Sequence, residues 1–335
     1  MLTAVLPLSQ ETLFSHMKIG VIGTGMMGAQ LAIRLANSGH KVIVLNRDRL
    51  KAQIVQHSVA KNEIRIASTP AEVGKNSELV ILCVKNHQAI LDITTAKGDT
   101  GLLDSPKSNR TRNDFIVIQC STISPTESNH VAKLYGKKNI KVITMPILGG
   151  ISAAERGDLI LIAAGPKKSF NQTKSLLKDL SKQVFYVGLS HATASTLKLA
   201  VNINIALIAL ALAEGLTFVK GSGLNPDIFI RIFNSTYFKT GISENKGPKI
   251  IRDEYTTSFS VANMAKDLEL TLQTAYSSGL TLPATASTHA IYKASEAVGL
   301  SGLDYTSIAS FISRLNGISR FGKRKRQTRG TDFLV

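Results

Sequence analysis

The sequence predicts an α/β domain with a doubly wound, largely parallel sheet, followed by an all-α domain. Three observations predict it. From Met17 to about Gly188, apolar runs of strand length alternate with helical or polar segments, the pattern of successive βαβ units. Past Gly188 the strand-like runs stop and long helical patterns take over. Between the first strand-like run and the first helical pattern lies a glycine-rich turn, a strong local punctuation signal.

Taken in order, Met1 to His16 carries Leu2, Val5, Leu6 and Leu8 but no positive leading segment, and Pro7, Ser9 and Gln10 interrupt it. It does not read as a signal peptide; residues 1–16 read as a loose extension before Met17. Ile19-Gly20-Val21-Ile22 then leads into Gly23-Thr24-Gly25-Met26-Met27-Gly28, a helical pattern, Gly39-His40 and a second apolar run, Val42 to Leu45. Strand, glycine turn, helix, strand is the unit that holds a dinucleotide, so the sheet is expected to be of Rossmann type. Gly23 permits the tight turn, Gly25 lets backbone approach a pyrophosphate, and Gly28 lets the helix pack close to the strand. Thr24, Met26 and Met27 belong to the same expected cradle, where the helix N-terminus offers N–H groups and a positive dipole end. Further strand-like runs lie near 79–84, 115–120, 140–144, 159–164 and 183–187. Val84, closing the 79–84 run, and Lys85, just after it, are also expected to bind cofactor. Thr95 to Asp114, with Gly98, Gly101, Pro106, Ser108 and Asn109, reads as a surface loop.

The end of the second strand bears on which dinucleotide is bound. NAD-binding units usually place an acid there; here stand Asn46, Arg47, Asp48 and Arg49. An amide beside a guanidinium accommodates a 2′-phosphate, so Asn46 and Arg47 point to NADP. The alternative is that Arg47 and Arg49 are solvated charges and Asp48 serves NAD.

In the second half, Ala192 to Lys220 is rich in alanine and leucine and long enough to span a membrane. Lys198, Asn202, Asn204 and Glu214 lie inside it, and such groups are expensive in lipid; a buried core helix is the better reading. Further helices are expected over 225–235, 261–278, 283–299 and 304–315. The expected organisation is an extension (1–16), a dinucleotide-binding domain (17–188), an all-α domain (189–316) and a basic tail (317–335).

Composition sets the remaining bounds. The chain has 335 residues, 44% of them hydrophobic and 19% charged, enough for two domains with cores. Its two cysteines, Cys83 and Cys120, sit in apolar strand-like runs, suggesting buried reduced thiols and a cytoplasmic setting. No cysteine or histidine spacing suggests a metal site. The formal charge is +17. Arg320, Lys323, Arg324, Lys325, Arg326 and Arg329 crowd the C-terminus beside Gly322 and Gly330 with no recognition motif, and read as a solvated tail rather than a nucleic-acid anchor. The remaining charge suits an anionic substrate and cofactor.

Reduction of a carbonyl needs a proton donor. Lys198 sits near the start of the long helix, just past the last strand. Asn202 lies four residues on, on the same face. Together they are suited to grip a carbonyl oxygen; the alternative is a lysine whose stem lies along apolar surface.

GVIGTGMMG (20–28), STISP (121–125), PILGGISAAERGDL (146–159), TLKLAVN with Lys198 and Asn202, and KDLEL (266–270) together resemble the β-hydroxyacid dehydrogenase family, which includes 3-hydroxyisobutyrate dehydrogenase and glyoxylate/succinic semialdehyde reductase. The resemblance runs from about Met17 to Arg314. It implies an NAD(P)-dependent oxidoreductase acting on a small carboxylate-bearing substrate. The apolar long helix suggests burial against a partner subunit in a homo-oligomer, the alternative being that it is simply core, and neither specific nucleic acid nor membrane is expected as a partner. The resemblance implies that Lys198 is the general acid and base and that Asn202 helps hold substrate. It implies further that Ser121 faces substrate and Thr122 the cofactor, that Gly149 and Gly150 receive the carboxylate through their N–H groups, and that Lys266 of the Lys266-Asp267 pair reaches the cofactor. On residue chemistry alone, Ser121-Thr122 can equally cap a helix before Pro125, Gly149-Gly150 can be only a turn, and Lys266-Asp267 a solvated pair. One departure stands out: Leu148 occupies the place of a serine that usually precedes the paired glycines. Its apolar side chain disfavours substrates with a hydroxyl or phosphate there, 6-phosphogluconate among them.

Overall fold

The computed structural model describes residues 16–59, 64–105 and 115–318. Almost all of the N-terminal extension, residues 106–114 of the expected surface loop and the basic tail from Ser319 onward lie outside the described residues. The described chain divides into two compact units between Ala200 and Val201.

The first unit is built on six strands: β1 (Lys18–Ile22), β2 (Lys41–Leu45), β3 (Ile64–Ile66), β4 (Leu79–Leu82), β5 (Ile116–Gln119) and β6 (Lys141–Thr144). All five neighbouring pairs are parallel, in the order β3-β2-β1-β4-β5-β6. Helices α1 (Met26–Asn37), α2 (Arg49–His57), α3 (Pro70–Lys75), α4 (His87–Thr94) and α5 (Pro125–Gly136) form the crossovers. The strands are apolar nearly throughout because both faces are covered. Val21, Ile81, Ile118 and Ile143 enter one core with Leu31 and Leu35 of α1. Their neighbours Ile22, Val80, Leu82, Val117 and Val142 enter the other, with Ile90 and Tyr135. This is the two-residue alternation of a strand, and each Val, Leu or Ile fully buried contributes about 1.5–3 kcal/mol. The winding direction reverses between β1 and β4, so a crevice is expected outside their carboxyl ends.

The parallel sheet stops at β6, and the last two strand-like runs do not extend it. The runs at 159–164 and 183–187 become β8 (Leu159–Ala163) and β9 (Ser181–Tyr186) of a separate three-stranded sheet, β7-β8-β9. Its first member, β7 (Ile147–Leu148), runs antiparallel to β8 and is joined to it through α6 (Ile151–Arg156); α7 (Lys167–Leu180) connects β8 to β9. A single bridge between Thr144 and Ala164 links this sheet to the end of β6. Neither β3 nor β7 was anticipated, because strands of three and two residues are too short to show a period.

Helix α8 (His191–Gly221) leads from the first unit into the second. Its buried positions, Ala194, Lys198, Asn202, Ala206, Ala209, Leu212, Ala213 and Leu216 among them, recur at helical spacing along one side. It is long and apolar enough to cross a membrane by composition, with 39% of its most apolar window buried; burial is therefore a stripe rather than the full circumference expected of a core helix. The second unit continues with α9 (Pro226–Asn234), α10 (Gly241–Asn245), α11 (Gly247–Ile251), α12 (Val261–Ser277), α13 (Pro283–Ser295) and α14 (Ile308–Leu315). Asn225, Thr240 and Ser260 cap α9, α10 and α12 with side-chain oxygens. The expected helix over 283–299 ends early: α13 passes into a π-type turn where Gly299 takes φ of 90°. Leu212, Leu216, Ile250, Met264, Leu268, Tyr292 and Ile308 form the core. Beside them Asp304 accepts from Lys246, Ser258 and Thr306. Burial pushes its carboxyl up, but these bonds outweigh burial and hold it below the usual carboxylate range.

Candidate active site

Gly23, Gly25 and Gly28 differ in what surrounds them. Gly23 has φ of 98°, and a Cβ there would run into the Cys83 carbonyl. At Gly28 a Cβ would run into the carbonyl of Gly23. Gly25 is the N-cap of α1 with extended backbone, and among the described residues nothing lies within 4 Å of a Cβ built on it. The fold itself thus demands glycine at 23 and 28, while the space over Gly25 is open. Helix α1 has neither a side-chain cap nor an acid in its first turn, which leaves its positive end for an anion. Thr24 is buried, and Met26 is exposed and Met27 half-buried at the lip. This cradle fits a dinucleotide pyrophosphate.

Asn46, just past β2, donates through Nδ2 to Thr24 Oγ1 at 2.8 Å and accepts the Asp48 N–H at 3.0 Å. Asp48 caps α2, accepting from Leu50 N at 3.1 Å. Arg47 and Arg49 are exposed. At the end of β4, Val84 is half-buried and Lys85 exposed. The Val84 N–H donates to Ser121 Oγ at 2.9 Å, so the ends of β4 and β5 are tied at the carboxyl edge of the sheet. Ser121 is buried, and its carbonyl accepts from Gln119 Nε2 at 2.7 Å. The cap of α5 is Ser124, which forms a capping box with Glu127, so Ser121 and Thr122 are not the cap before Pro125. Cys83 and Cys120 are free thiols; burial pushes Cys83 up to about 12 and raises Cys120 as well, leaving both as inert thiols.

Gly149 and Gly150 are exposed between β7 and α6. Gly149 has φ of 130°, a conformation that glycine adopts without strain. Gly150 is the N-cap of α6, with no side-chain cap hydrogen bond there. The start of α8 is fastened to the first unit in three places. His191 Nδ1 bonds Thr144 Oγ1 at 2.9 Å, Ser195 Oγ bonds Ser128 Oγ of α5 at 2.6 Å, and Ala194 packs in one apolar cluster with Leu148, Ile162, Ala164 and Val187. Lys198 follows Ala194 by four residues and Ser195 by three, so it lies on the side of α8 that these contacts turn inward. It is buried, with 8% of its surface exposed. Burial pushes the His191 imidazole below its usual range, so it sits neutral at the N-terminus of α8.

In the second unit, Asn202, one turn beyond Lys198, is buried and donates through Nδ2 to Asp267 Oδ2 at 2.6 Å. Lys266 Nζ lies 2.8 Å from Asp267 Oδ1, an ion pair. Asp267 is 1% exposed, so the Lys266-Asp267 pair is not a solvated one. Sequence reasoning named Asp267 but gave it no part in the site. Its link to Asn202, across 65 positions, has no local signal, and the anchors Ser128, Thr144, His191 and Ser195 are hidden for the same reason.

Comparison with known proteins places the chain in a family. Residues 18–188 match the family model described as the NAD binding domain of 6-phosphogluconate dehydrogenase. Residues 192–312 match that described as the NAD-binding domain of NADP-dependent 3-hydroxyisobutyrate dehydrogenase. The chain is 27% identical over 297 residues to glyoxylate/succinic semialdehyde reductase 1 of Arabidopsis thaliana, covering 88% of this chain and 98% of that protein. It is 27% identical over 307 residues to the probable mitochondrial 3-hydroxyisobutyrate dehydrogenase of Dictyostelium discoideum, covering 90% and 92%. Among solved structures, Psf3 in complex with NADP+ and 2-OPP superposes with a TM-score of 0.79 at 22% identity, covering 88% of this chain and all of that one. With the cradle at Gly25, the buried Lys198 and family matches spanning both units, the chain belongs to the β-hydroxyacid dehydrogenase family of NAD(P)-dependent oxidoreductases.

Proposed function

We propose that the protein is an NADP(H)-preferring reductase and dehydrogenase that interconverts a short-chain 3-hydroxy acid and its semialdehyde. The observation that carries this is Lys198, buried on a helix whose start is fixed to the nucleotide-binding unit at three points. An ammonium held in such a place is suited to proton transfer.

In the reductive direction the bound nicotinamide supplies hydride to the carbonyl carbon. Lys198 donates a hydrogen bond to the carbonyl oxygen, stabilises the negative charge that develops there and gives it a proton. In oxidation it takes that proton back. Asn202 orients Lys198 and substrate, its amide nitrogen being committed to Asp267. Gly149 and Gly150 receive the substrate carboxylate on backbone N–H groups. Ser121 faces substrate, and Thr122 and Lys266 are cofactor contacts, with Thr24, Met26, Met27, Asn46, Arg47, Val84 and Lys85 around the rest of the dinucleotide. NADP preference is supported by the strand end: Asp48 is spent as a helix cap, while Arg47 is exposed and able to meet a 2′-phosphate. Glyoxylate or succinic semialdehyde reduction is the alternative within the same chemistry. The unburied side of α8 supports a homo-oligomer; we place the protein in the cytoplasm, away from membrane and nucleic acid.

The test is oxidation of NADPH and NADH against a panel of short aldehyde acids. Turnover of one or more acids supports the reading. A protein that binds NADPH but turns over none of them is a binding module, and the proposal fails.

A further inference from the structure

Strand β5 reads Ile116-Val117-Ile118-Gln119, and all four residues are buried. Gln119 lies between Leu82 of β4 and Thr144 of β6, with none of its surface exposed. An amide placed there without partners costs about 1–3 kcal/mol relative to a hydrogen-bonded one, and a leucine or methionine would fill the space without that penalty. One end of the amide has a partner: Nε2 donates to the Ser121 carbonyl at 2.7 Å. Oε1 has none. The backbone carbonyl of Gln119 keeps its place in the sheet edge by accepting from Met145 N at 2.7 Å. The side chain is therefore not needed for the ladder, and what it does is hold the peptide bond between Ser121 and Thr122.

That peptide is held from two sides. Gln119 fixes its carbonyl, and Val84 N–H fixes the Ser121 hydroxyl at 2.9 Å. Val84 in turn lies against the glycine turn, its Cγ1 2.7 Å from where a Cβ on Gly23 would stand. The cradle, the end of β4 and the Ser121-Thr122 dipeptide thus form one chain of contacts, with Gln119 as its buried end. A peptide plane free to tilt by a few tens of degrees would carry both side chains with it, and hydride transfer is sensitive to displacements of this size.

We infer that Gln119 is a positioning residue of the reaction: by donating to the Ser121 carbonyl, its buried amide sets the peptide plane on which Ser121 and Thr122 are presented to substrate and nicotinamide. The inference rests on the reading of Ser121 and Thr122 in the proposed function.

Gln119→Met keeps the volume and removes the donor; Gln119→Glu keeps the shape and donates only when protonated. For each variant we would measure the NADPH dissociation constant, kcat and KM for the aldehyde acid, the primary isotope effect with deuterated NADPH, and the pH profile of kcat. The expected result for Gln119→Met is a kcat lowered about tenfold or more, a larger isotope effect, and KM and NADPH affinity within about threefold of wild type. For Gln119→Glu, kcat should recover toward wild type as pH falls and the carboxyl becomes a donor. A role in packing alone would give the two variants the same pH profile as wild type. Wild-type kcat in Gln119→Met overturns the inference, as does a loss matched by lost NADPH affinity. If Gln119→Met does not fold, the pH profile of Gln119→Glu decides alone, and a profile parallel to wild type overturns it. Wild-type protein inert toward the whole panel instead overturns the proposed function, and the inference falls with it.

Discussion

Lys198 places its side chain where lysine is rarely found, at 8% exposure on an apolar helix. Replacing it with alanine removes the proton donor but none of the dinucleotide cradle. Lys198→Ala should therefore bind NADPH nearly as wild type and lose turnover by about 10²-fold or more; turnover above about a tenth of wild type rules the lysine out as general acid. Asn46 offers the matching experiment on the cofactor. Its amide bridges Thr24 and Asp48, and an aspartate there would place negative charge where a 2′-phosphate is expected. Asn46→Asp should lower kcat/KM for NADPH relative to NADH by about tenfold or more, as like charges in one site repel. The ratio measured in both proteins checks this, and an unchanged ratio means the strand end does not read the phosphate.

Elements were legible in proportion to their length. Strands β1, β2, β4, β5 and β6, of four or five residues, announce themselves as apolar runs, the long helices by period and the glycine turn by its flanks. Strands β3 and β7, of three and two residues, and helices α10 and α11, of five residues and so barely more than one turn, do not; they are fixed by pairing or packing that lies elsewhere in the chain. The same limit applied to the site: the residues that carry chemistry have motifs, while those that hold them, such as Ser128 under Ser195 and Asp267 under Asn202, meet only in the fold. Leu148 illustrates the difference. In sequence it is an apolar residue in place of a serine; in the structure it belongs to β7 and packs with Ala194 at the start of α8. Leu148→Ser should thus act twice. Melting temperature should fall by several degrees from lost packing, about 1–3 kcal/mol. The kcat/KM ratio for tartronate semialdehyde over methylmalonate semialdehyde should rise by the equivalent of about 1–3 kcal/mol. A lower melting temperature with an unchanged ratio would show that Leu148 serves packing alone.

At the scale of the molecule, three buried or half-buried histidines share one electrostatic tendency. Burial lowers the affinity of His87, His191 and His289 for protons; at His87 and His289 nearby carboxylates oppose the effect without reversing it. An unfolded histidine titrates near 6.5, so below that pH the unfolded chain takes up protons that the folded chain resists. Stability is full above about pH 7 and declines as pH falls through 6.5 toward the lowered native values. Asp304 has the same sign in a lower range, its contribution being lost only as the carboxylate protonates well below pH 5. Melting temperatures between pH 8 and pH 5.5 should therefore fall on the acid side, and His191→Gln should flatten part of that slope. A level profile across this range contradicts the assignment.

The three glycines of the turn answer to two different demands. At Gly23 and Gly28 a side chain would keep the turn from closing, whether or not a nucleotide is bound. Gly25 has φ of −71° and ψ of −173°, open to every residue, and free space above it. Its only constraint is the visitor. Gly25→Ala should yield a protein with wild-type melting behaviour in the absence of nucleotide and with NADPH affinity lowered about tenfold or more, as the methyl group meets the pyrophosphate. Titration and melting curves on the same sample separate the two outcomes, and unimpaired binding would mean that the phosphates lie elsewhere. Lineages that lost the reaction while keeping the fold should lose this glycine first.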